Sequence, residues 1–159
     1  MAQIFNDIII INRSIMNALE NLNSGKLALL KYAPAYISLL AATHDGEMDE
    51  TEKKAAIKLT HLKTFSSDEF LNEYYKDIEA NFSQQVDDLY MTLPKDTAEK
   101  EMVLRDKLHQ IEEIISELPV EYGQKLKHSF ESYSWHVAQS HRNVSEDFLI
   151  PFRIKGLTA

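Results

Sequence analysis

Acidic side chains are concentrated in one short stretch of the chain, directly after an apolar segment. Five carboxylates occupy eight consecutive positions there, beside a histidine: His44, Asp45, Glu47, Asp49, Glu50 and Glu52. Carboxylates held close together repel one another, and a hard divalent cation such as Ca²⁺ or Mg²⁺ relieves that repulsion while it orders the loop. A histidine ligand would instead favour Zn²⁺ or another transition ion, because imidazole binds those metals well. The candidate metal ligands are therefore His44, Asp45, Glu47, Asp49, Glu52 and the more distant His141.

The same stretch also has an explanation that needs no metal. Gly46 can end one helix in the left-handed conformation, Asp49 can cap the next helix, and Glu52 can complete a capping box. Glu47 and Glu50 would then stabilise the positive end of that second helix. The stretch is not an EF-hand, because the required glycine would fall at Glu50. The sequence leaves both interpretations open, a metal site or a capped helix junction.

Motifs for other chemistry are missing from the sequence. The absence of cysteine excludes disulfides, thiolate zinc sites and cysteine nucleophiles. No serine stands in a Gly-x-Ser-x-Gly elbow, and no glycine-rich phosphate loop occurs. Asp106, His109 and Glu113 resemble part of a di-iron bundle motif, but the second copy is missing, so a surface charge pair is predicted. The sequence therefore predicts a protein that is not an enzyme.

Charge and hydropathy limit the partners that the chain is expected to have. The net charge of −8 opposes attraction to nucleic acid and to anionic lipid. The apolar run from Ile8 to Ile11 is bounded by Asp7 and Arg13, so it is too short to cross a membrane. We expect a cytoplasmic protein without membrane insertion, whose partner is another protein or further copies of itself. The apolar tail PFRIKGLTA is one surface that such a partner could contact.

Apolar periodicity and capping signals predict an all-α fold in a single domain of 159 residues, since four glycines and four prolines leave little material for hairpins. Seven or eight helices are expected. The first two helices are expected at about 3–22 and 26–43, the second with a kink at Pro34 or a fresh start near Tyr32. A third is expected at 49–64, a fourth from the Ser66 and Glu69 box through Ile78, and a shorter fifth that ends at Leu93. The remaining helices are expected from Asp96 to Leu118, from 119 or 120 to His141, and as a short element after Ser145.

Two groups of apolar residues stand out in the sequence. The first is a continuous stripe at helical spacing along the N-terminal helix: Ile4, Ile8, Ile11, Ile15, Leu19 and Leu22. The second is a set of aromatic residues that could line a pocket, although most are spaced to join a helical core: Tyr74, Tyr75, Tyr90, Phe130, Tyr133, Trp135 and Phe148. Core packing is the favoured prediction for this second group.

A weak internal repeat relates the two halves of the chain. An offset of 97 positions aligns four pairs of identical residues: Leu29 with Leu126, Tyr36 with Tyr133, Ala41 with Ala138, and His44 with His141. The pattern predicts two helix-turn-helix units, at about 26–64 and about 120–155. Arg142 and Asn143 occupy the places equivalent to Asp45 and Gly46, so the second unit lacks an acidic ligand. A cation would bind mainly at the first unit, with His141 as a helper.

The segment LLAATHDGEMDETEKKAAI resembles the signature of TerB-like domains, the helical family named for tellurite-resistance proteins. In that family an apolar helix ends in an acidic Asp-Gly turn and leads into a helix with an early glutamate. The resemblance covers Ala33 to Leu62, and the matching positions are Asp45, Gly46, Glu47, Met48 and Glu52. His44 departs from the family, which usually has a small residue there. The resemblance implies an all-helical, pseudo-symmetric fold, a cytoplasmic setting, divalent-metal binding linked to stress response, and no established reaction.

Overall fold

Helices account for all the regular structure that the computed structural model describes, which covers residues 1–45, 54, 58 and 68–140. That part of the chain contains no strand, and the predicted all-α class is confirmed. Six α-helices have described bounds, together with one 3₁₀ helix: α1 (Ala2–Glu20), α2 (Ser24–Lys31), α3 (Ala33–Asp45), the 3₁₀ helix Glu69–Leu71, α4 (Asn72–Thr92), α5 (Thr97–Ser116) and α6 (Val120–Ser140).

The segment predicted as one helix from Lys26 is two helices, with the fresh start near Tyr32. α2 begins slightly early because the Asn23 side chain accepts a hydrogen bond of 2.8 Å from the Lys26 N–H. It ends at the helical C-cap Tyr32. Pro34 then lies in the first turn of α3. Backbone N–H groups in the first turn have no acceptor within the helix, so proline costs no hydrogen bond there. Local chemistry therefore sets this break.

α4 is one continuous helix, so the predicted break between a fourth and a fifth helix was wrong. Its sequence has no glycine or proline that would interrupt the hydrogen-bond ladder. Asp68 opens the preceding 3₁₀ turn by accepting a 3.1 Å hydrogen bond from the Phe70 N–H. The predicted end before Pro94 is confirmed, since α4 stops at Thr92.

α5 and α6 follow the sequence prediction closely. Asp96 caps α5 by accepting a 3.0 Å hydrogen bond from the Glu99 N–H, as the capping signal predicted. α6 begins at Val120, directly after Pro119, and is described to Ser140. The turn between them is tight: a Cβ added to Gly123 would lie 2.9 Å from the carbonyl oxygen of Ile115. Glycine at this position therefore allows the two helices to approach each other.

The centre of the bundle is α3, which packs against α4, α5 and α6. Every residue from Ala33 to Thr43 is buried, on all sides of the helix. A helix that is apolar all round is expected to lie inside a core. The surrounding helices each turn one apolar face toward it, for example through Ile78 of α4, Leu108 of α5 and Phe130 of α6. The hydrophobic core is thus built around α3.

Buried hydroxyl groups connect the helices inside this core. Ser38 of α3 and Tyr133 of α6 form a 2.9 Å hydrogen bond, and Tyr75 of α4 and Ser129 of α6 form one of 2.6 Å. Tyr74 donates to a backbone carbonyl of α2 at 2.6 Å. Burial raises the pKa of Tyr74 and of Tyr75, so both phenols stay neutral. These bonds fix the relative positions of the helices, because each has one good geometry.

The two predicted repeat units differ in their described parts. Tyr36 and Tyr133 are both buried, in line with their alignment. The first unit, however, contains the break between α2 and α3, whereas the second runs through the equivalent position within the single helix α6. Lys54 and Lys58, inside the predicted third helix, are helical and exposed. The remainder of both units lies outside the described residues, so the duplication stays a prediction.

α1 is formed as predicted, but its apolar stripe does not join the core along its length. Leu19 and Leu22 pack against the core. Ile4 is 63% exposed, and Ile8 is half-buried. Among the described helices, the pairs with extensive contact do not include α1. Periodicity shows which face of a helix is apolar and does not show whether another element covers it.

Candidate functional site

The predicted metal site lies at the end of α3 and mostly outside the described residues. The backbone of His44 and Asp45 forms the last turn of α3. The other predicted ligands, Glu47, Asp49, Glu52 and His141, are outside the described residues, as is Gly46. Within the described ranges, no group of three or more candidate ligands could hold a metal ion. The metal site therefore remains a prediction.

The histidines on α5 and α6 lie on the surface. His109 Nε2 is 3.7 Å from Glu113 Oε1, and both side chains are exposed, which confirms the predicted surface pair. Asp106 accepts a 2.7 Å hydrogen bond from Gln110 Nε2. His128, for which no partner was evident in the sequence, lies 3.9 Å from Glu131 and is exposed. This arrangement is typical of solvated helix faces.

The aromatic residues divide between core and surface. Tyr74, Tyr75, Phe130 and Tyr133 are buried, as predicted. Two further members are not: Tyr90 is 39% exposed and Trp135 is 49% exposed. Trp135 lies on a face of α6 that points away from the core, since Tyr133 and Val137 on either side of it are buried. Phe148 is outside the described residues. The sequence identifies the aromatic residues, but it does not show which side of its helix each one occupies.

A shallow groove of about 620 Å³ separates α2 from α5. Lys26 Nζ lies 2.5 Å and 2.6 Å from the two carboxylate oxygens of Glu117, and both residues line the groove. The rings of Tyr32 and Tyr36 form part of its wall, with centroids 6.3 Å apart. Burial, and then the neighbouring Tyr32, raises the pKa of Tyr36. The wall also carries the basic Lys107 and the acidic Glu113, so the groove has no preference for an anionic or a cationic ligand.

The most unusual surface of the described chain is on α1. Ile4, Phe5, Ile9 and Ile10 are 63%, 67%, 58% and 64% exposed. We refer to these four residues as the α1 apolar patch. Fully burying a side chain of this size stabilises a protein by roughly 1.5–3 kcal/mol. Because these four side chains stay mostly exposed, the fold gains little of that stabilisation from them. Concentrated exposure of large apolar side chains usually marks an interaction surface.

The α1 apolar patch is not part of a membrane-spanning segment. None of the described helices combines the length and the hydropathy needed to cross a bilayer. α1 itself carries Asp7, Arg13 and Glu20 on exposed positions. The helix is therefore amphipathic, with a polar side that stays in water.

Comparison of the chain with protein-family models, with curated proteins and with solved structures gave no match. The resemblance to TerB-like domains therefore rests on the residues between Ala33 and Leu62 alone. Of that segment, α3 up to Asp45 and the positions Lys54 and Lys58 are described. The functional argument has to proceed from the surfaces of this chain.

Proposed function

We propose that this chain is a helical interaction module that binds another polypeptide through the α1 apolar patch. The supporting observation is the exposure of Ile4, Phe5, Ile9 and Ile10 beside a bundle whose described helices bury their apolar residues around α3. Binding apolar surface is favourable in proportion to the area removed from water, at roughly 25 cal/mol per Å². A patch with three isoleucines and a phenylalanine within seven positions is therefore a strong contact surface.

The rest of the bundle supplies a rigid base for that surface. α2 to α6 bury their own apolar residues around α3, and the core hydroxyl bonds fix their positions. α1 joins this base through Leu19 and Leu22, at its opposite end from the patch. A binding helix held at one end presents its apolar side without disturbing the fold.

A photoreactive amino acid at the patch tests the proposal. Placed at Phe5 in the cell, it is expected to form a discrete adduct, and placed at the exposed His128 of α6 it is expected to form none. The double variant Ile4→Ser with Ile9→Ser should remove the Phe5 adduct while the melting temperature of the bundle stays unchanged, because neither side chain is part of the core. Equal labelling from Phe5 and His128, or no adduct at all, contradicts the function.

The acidic segment supports a second candidate function, divalent-metal binding. Asp45 stands in the last turn of α3, where the helix dipole is negative and a carboxylate is unfavourable. A bound Ca²⁺, Mg²⁺ or Zn²⁺ would relieve that unfavourable charge together with the repulsion from Glu47 and Asp49. This candidate follows the TerB-like resemblance, including its link to stress response. It is compatible with the first, since the two surfaces involve different residues.

A further inference from the structure

We propose that the groove between α2 and α5 binds a short apolar peptide whose amino and carboxyl termini are both free. The groove shares no residue with the α1 apolar patch, so this inference goes beyond the proposed function. Three properties of the groove support it: an apolar surface, two opposite charges with weak partners, and the distance between those charges.

The groove has an apolar surface large enough for a side chain. Leu29, Tyr32 and Tyr36 line it from one side and Ile114 from the other. Tyr36 and Ile114 are buried, while Leu29 and Tyr32 are half-buried and leave apolar surface for a ligand. The volume of about 620 Å³ is within the range of about 300–1,000 Å³ that small-ligand sites have. An apolar side chain placed in the groove is removed from water, which favours binding.

The cation that a ligand can reach in the groove is Lys107. The ammonium of Lys26 is already neutralised by Glu117, at 2.5 Å. Lys107 is half-buried, and its Nζ lies 3.5 Å from the neutral Gln110 Oε1, which is longer than the usual range of about 2.7–3.2 Å for such a bond. Since an ammonium has three protons to donate, Lys107 retains most of its capacity for an anionic group.

The matching anion in the groove is Glu113. Its Oε1 lies 3.7 Å from His109 Nε2, too long for a hydrogen bond, and both side chains are exposed. The carboxylate can therefore accept hydrogen bonds from a cationic group. Because the groove offers one available charge of each sign, it is complementary to a ligand that carries both a carboxylate and an ammonium.

The distance between the two charges selects a peptide over a free amino acid. Lys107 and Glu113 are six positions apart in α5, which corresponds to about 9 Å along the helix axis. In a free amino acid the ammonium and the carboxylate are bonded to the same carbon, so they cannot span this distance. An extended chain spans about 3.3–3.6 Å per residue, so a peptide of about three residues matches it. Its carboxyl terminus lies at Lys107 and its amino terminus at Glu113.

Titration of the isotope-labelled full-length chain with the tripeptide Ala-Phe-Ala, followed by NMR, is the first test. Saturable shifts are expected for the amide signals of Leu29, Tyr32 and Gln110. Acetylation of the amino terminus, or amidation of the carboxyl terminus, should each raise the dissociation constant roughly two- to fivefold, the range for partly exposed charge pairs. Free phenylalanine should bind at least about tenfold more weakly, because it loses one charge contact and part of the apolar contact.

The same titration can overturn the proposal in two ways. Absence of saturable shifts with Ala-Phe-Ala at millimolar concentration shows that the groove does not take such a peptide. Equal affinity for Ala-Phe-Ala and for its doubly blocked form shows that the termini are not recognised, and the groove would then suit an internal segment of a longer chain.

Two charge variants assign each terminus to its side chain. In Lys107→Gln, amidation of the peptide should no longer weaken binding, whereas acetylation still should. In Glu113→Gln the reverse is expected. Lys95→Gln is the matched control, because Lys95 is exposed and lies outside the groove, and it should retain both effects. Variants that retain both effects, or that lose both together, contradict the assignment. Since glutamine keeps the size of either side chain approximately, the melting temperature should stay unchanged.

The outcome is independent of the proposed function, because the two surfaces have no residue in common. A discrete Phe5 photoadduct without peptide binding leaves the interaction module standing and overturns this site. Saturable peptide binding without any photoadduct supports this site and contradicts the interaction module.

Discussion

The hydroxyl of Tyr133 on α6 donates a hydrogen bond to the Ser38 hydroxyl on α3, at 2.9 Å. The direction follows from the neighbouring contact, in which the single Ser38 hydroxyl proton is donated to the Pro34 carbonyl at 2.9 Å. The bond joins the central helix to the last described helix inside the core, where both side chains are fully buried. In such surroundings a hydrogen bond is strong, and loss of one partner is costly.

Removing either hydroxyl should destabilise the bundle, and the two effects should be coupled. Ser38→Ala and Tyr133→Phe are each expected to lower the free energy of unfolding by about 1–2 kcal/mol. The double variant should lose at least about 0.5 kcal/mol less than the sum of the two, as measured by urea denaturation. Thr43→Val serves as the control, because the Thr43 hydroxyl donates within its own helix to Leu39. Its effect should add to that of Tyr133→Phe. Additive behaviour of Ser38 and Tyr133 would show that their contact is not a stabilising bond.

The buried tyrosines should make the protein sensitive to alkaline pH. Burial raises the pKa of Tyr74, Tyr75 and Tyr122 above the value of about 10 that the unfolded chain has. Their contribution to stability is complete below pH 10 and is lost as the pH rises above it, because the unfolded state releases protons that the folded state retains. The urea midpoint should therefore fall steadily above about pH 10.

Single aromatic replacements distinguish the groups responsible for this alkaline loss. Tyr75→Phe should flatten the fall of the urea midpoint, because it removes one buried phenol. Trp135→Phe should leave the slope unchanged, since it replaces a half-exposed side chain that does not ionise. Absorbance near 295 nm should show tyrosines that ionise only when the chain unfolds. Identical slopes in both variants would contradict the assignment.

The contact between α5 and α6 should not tolerate a side chain at Gly123. Gly123→Ala forces a Cβ to within 2.9 Å of the Ile115 carbonyl oxygen, which is backbone and cannot turn aside. The steric cost of about 1–3 kcal/mol exceeds the helix propensity of about 1 kcal/mol that alanine adds. Thermal unfolding should therefore show a lower melting temperature. Gly25→Ala is the matched control: its Cβ would lie 3.4 Å from the Asn23 side-chain oxygen, an ordinary contact, so this variant should be neutral or slightly stabilised.

Metal binding at the acidic segment should be visible as thermal stabilisation. At a hundredfold excess over the dissociation constant, a cation adds about 2.7 kcal/mol, or roughly 8 °C for a chain of this size. Asp45→Asn with Glu47→Gln should abolish that rise, whereas Asp106→Asn with Glu113→Gln, a surface pair on α5, should retain it. Elemental analysis of protein purified without chelator identifies the ion. Calcium, magnesium and zinc that all leave the melting temperature unchanged would rule out a metal at this segment.

The parts of the fold that the sequence predicts are those with local causes. The Asp96 cap, the stop before Pro94 and the restart near Tyr32 each depend on residues within a few positions of one another, so all three are visible in the sequence. The break expected within α4 was wrong for a related reason. It was inferred from spacing, although no glycine or proline interrupts that helix.

The parts that could not be predicted depend on contacts between distant positions. The groove between α2 and α5 is lined by Lys26 and Glu117, which are 91 positions apart. Likewise, the repeating isoleucines of α1 identify an apolar face, but its exposure depends on whether any other helix reaches it. Both features depend on how distant parts of the chain pack together, and no local sequence pattern indicates that packing.

The burial of α3 from Ala33 to Thr43 also limits how the bundle can move. A helix with a solvent face can roll or slide by exchanging contacts with water, but α3 has contacts on every side from Ala33 to Thr43. Any displacement of α3 therefore has to move its neighbours with it, because close-packed interiors leave no free volume. Asp45 stands at the end of this helix. A displacement at the acidic segment would therefore move α3 together with the helices packed against it.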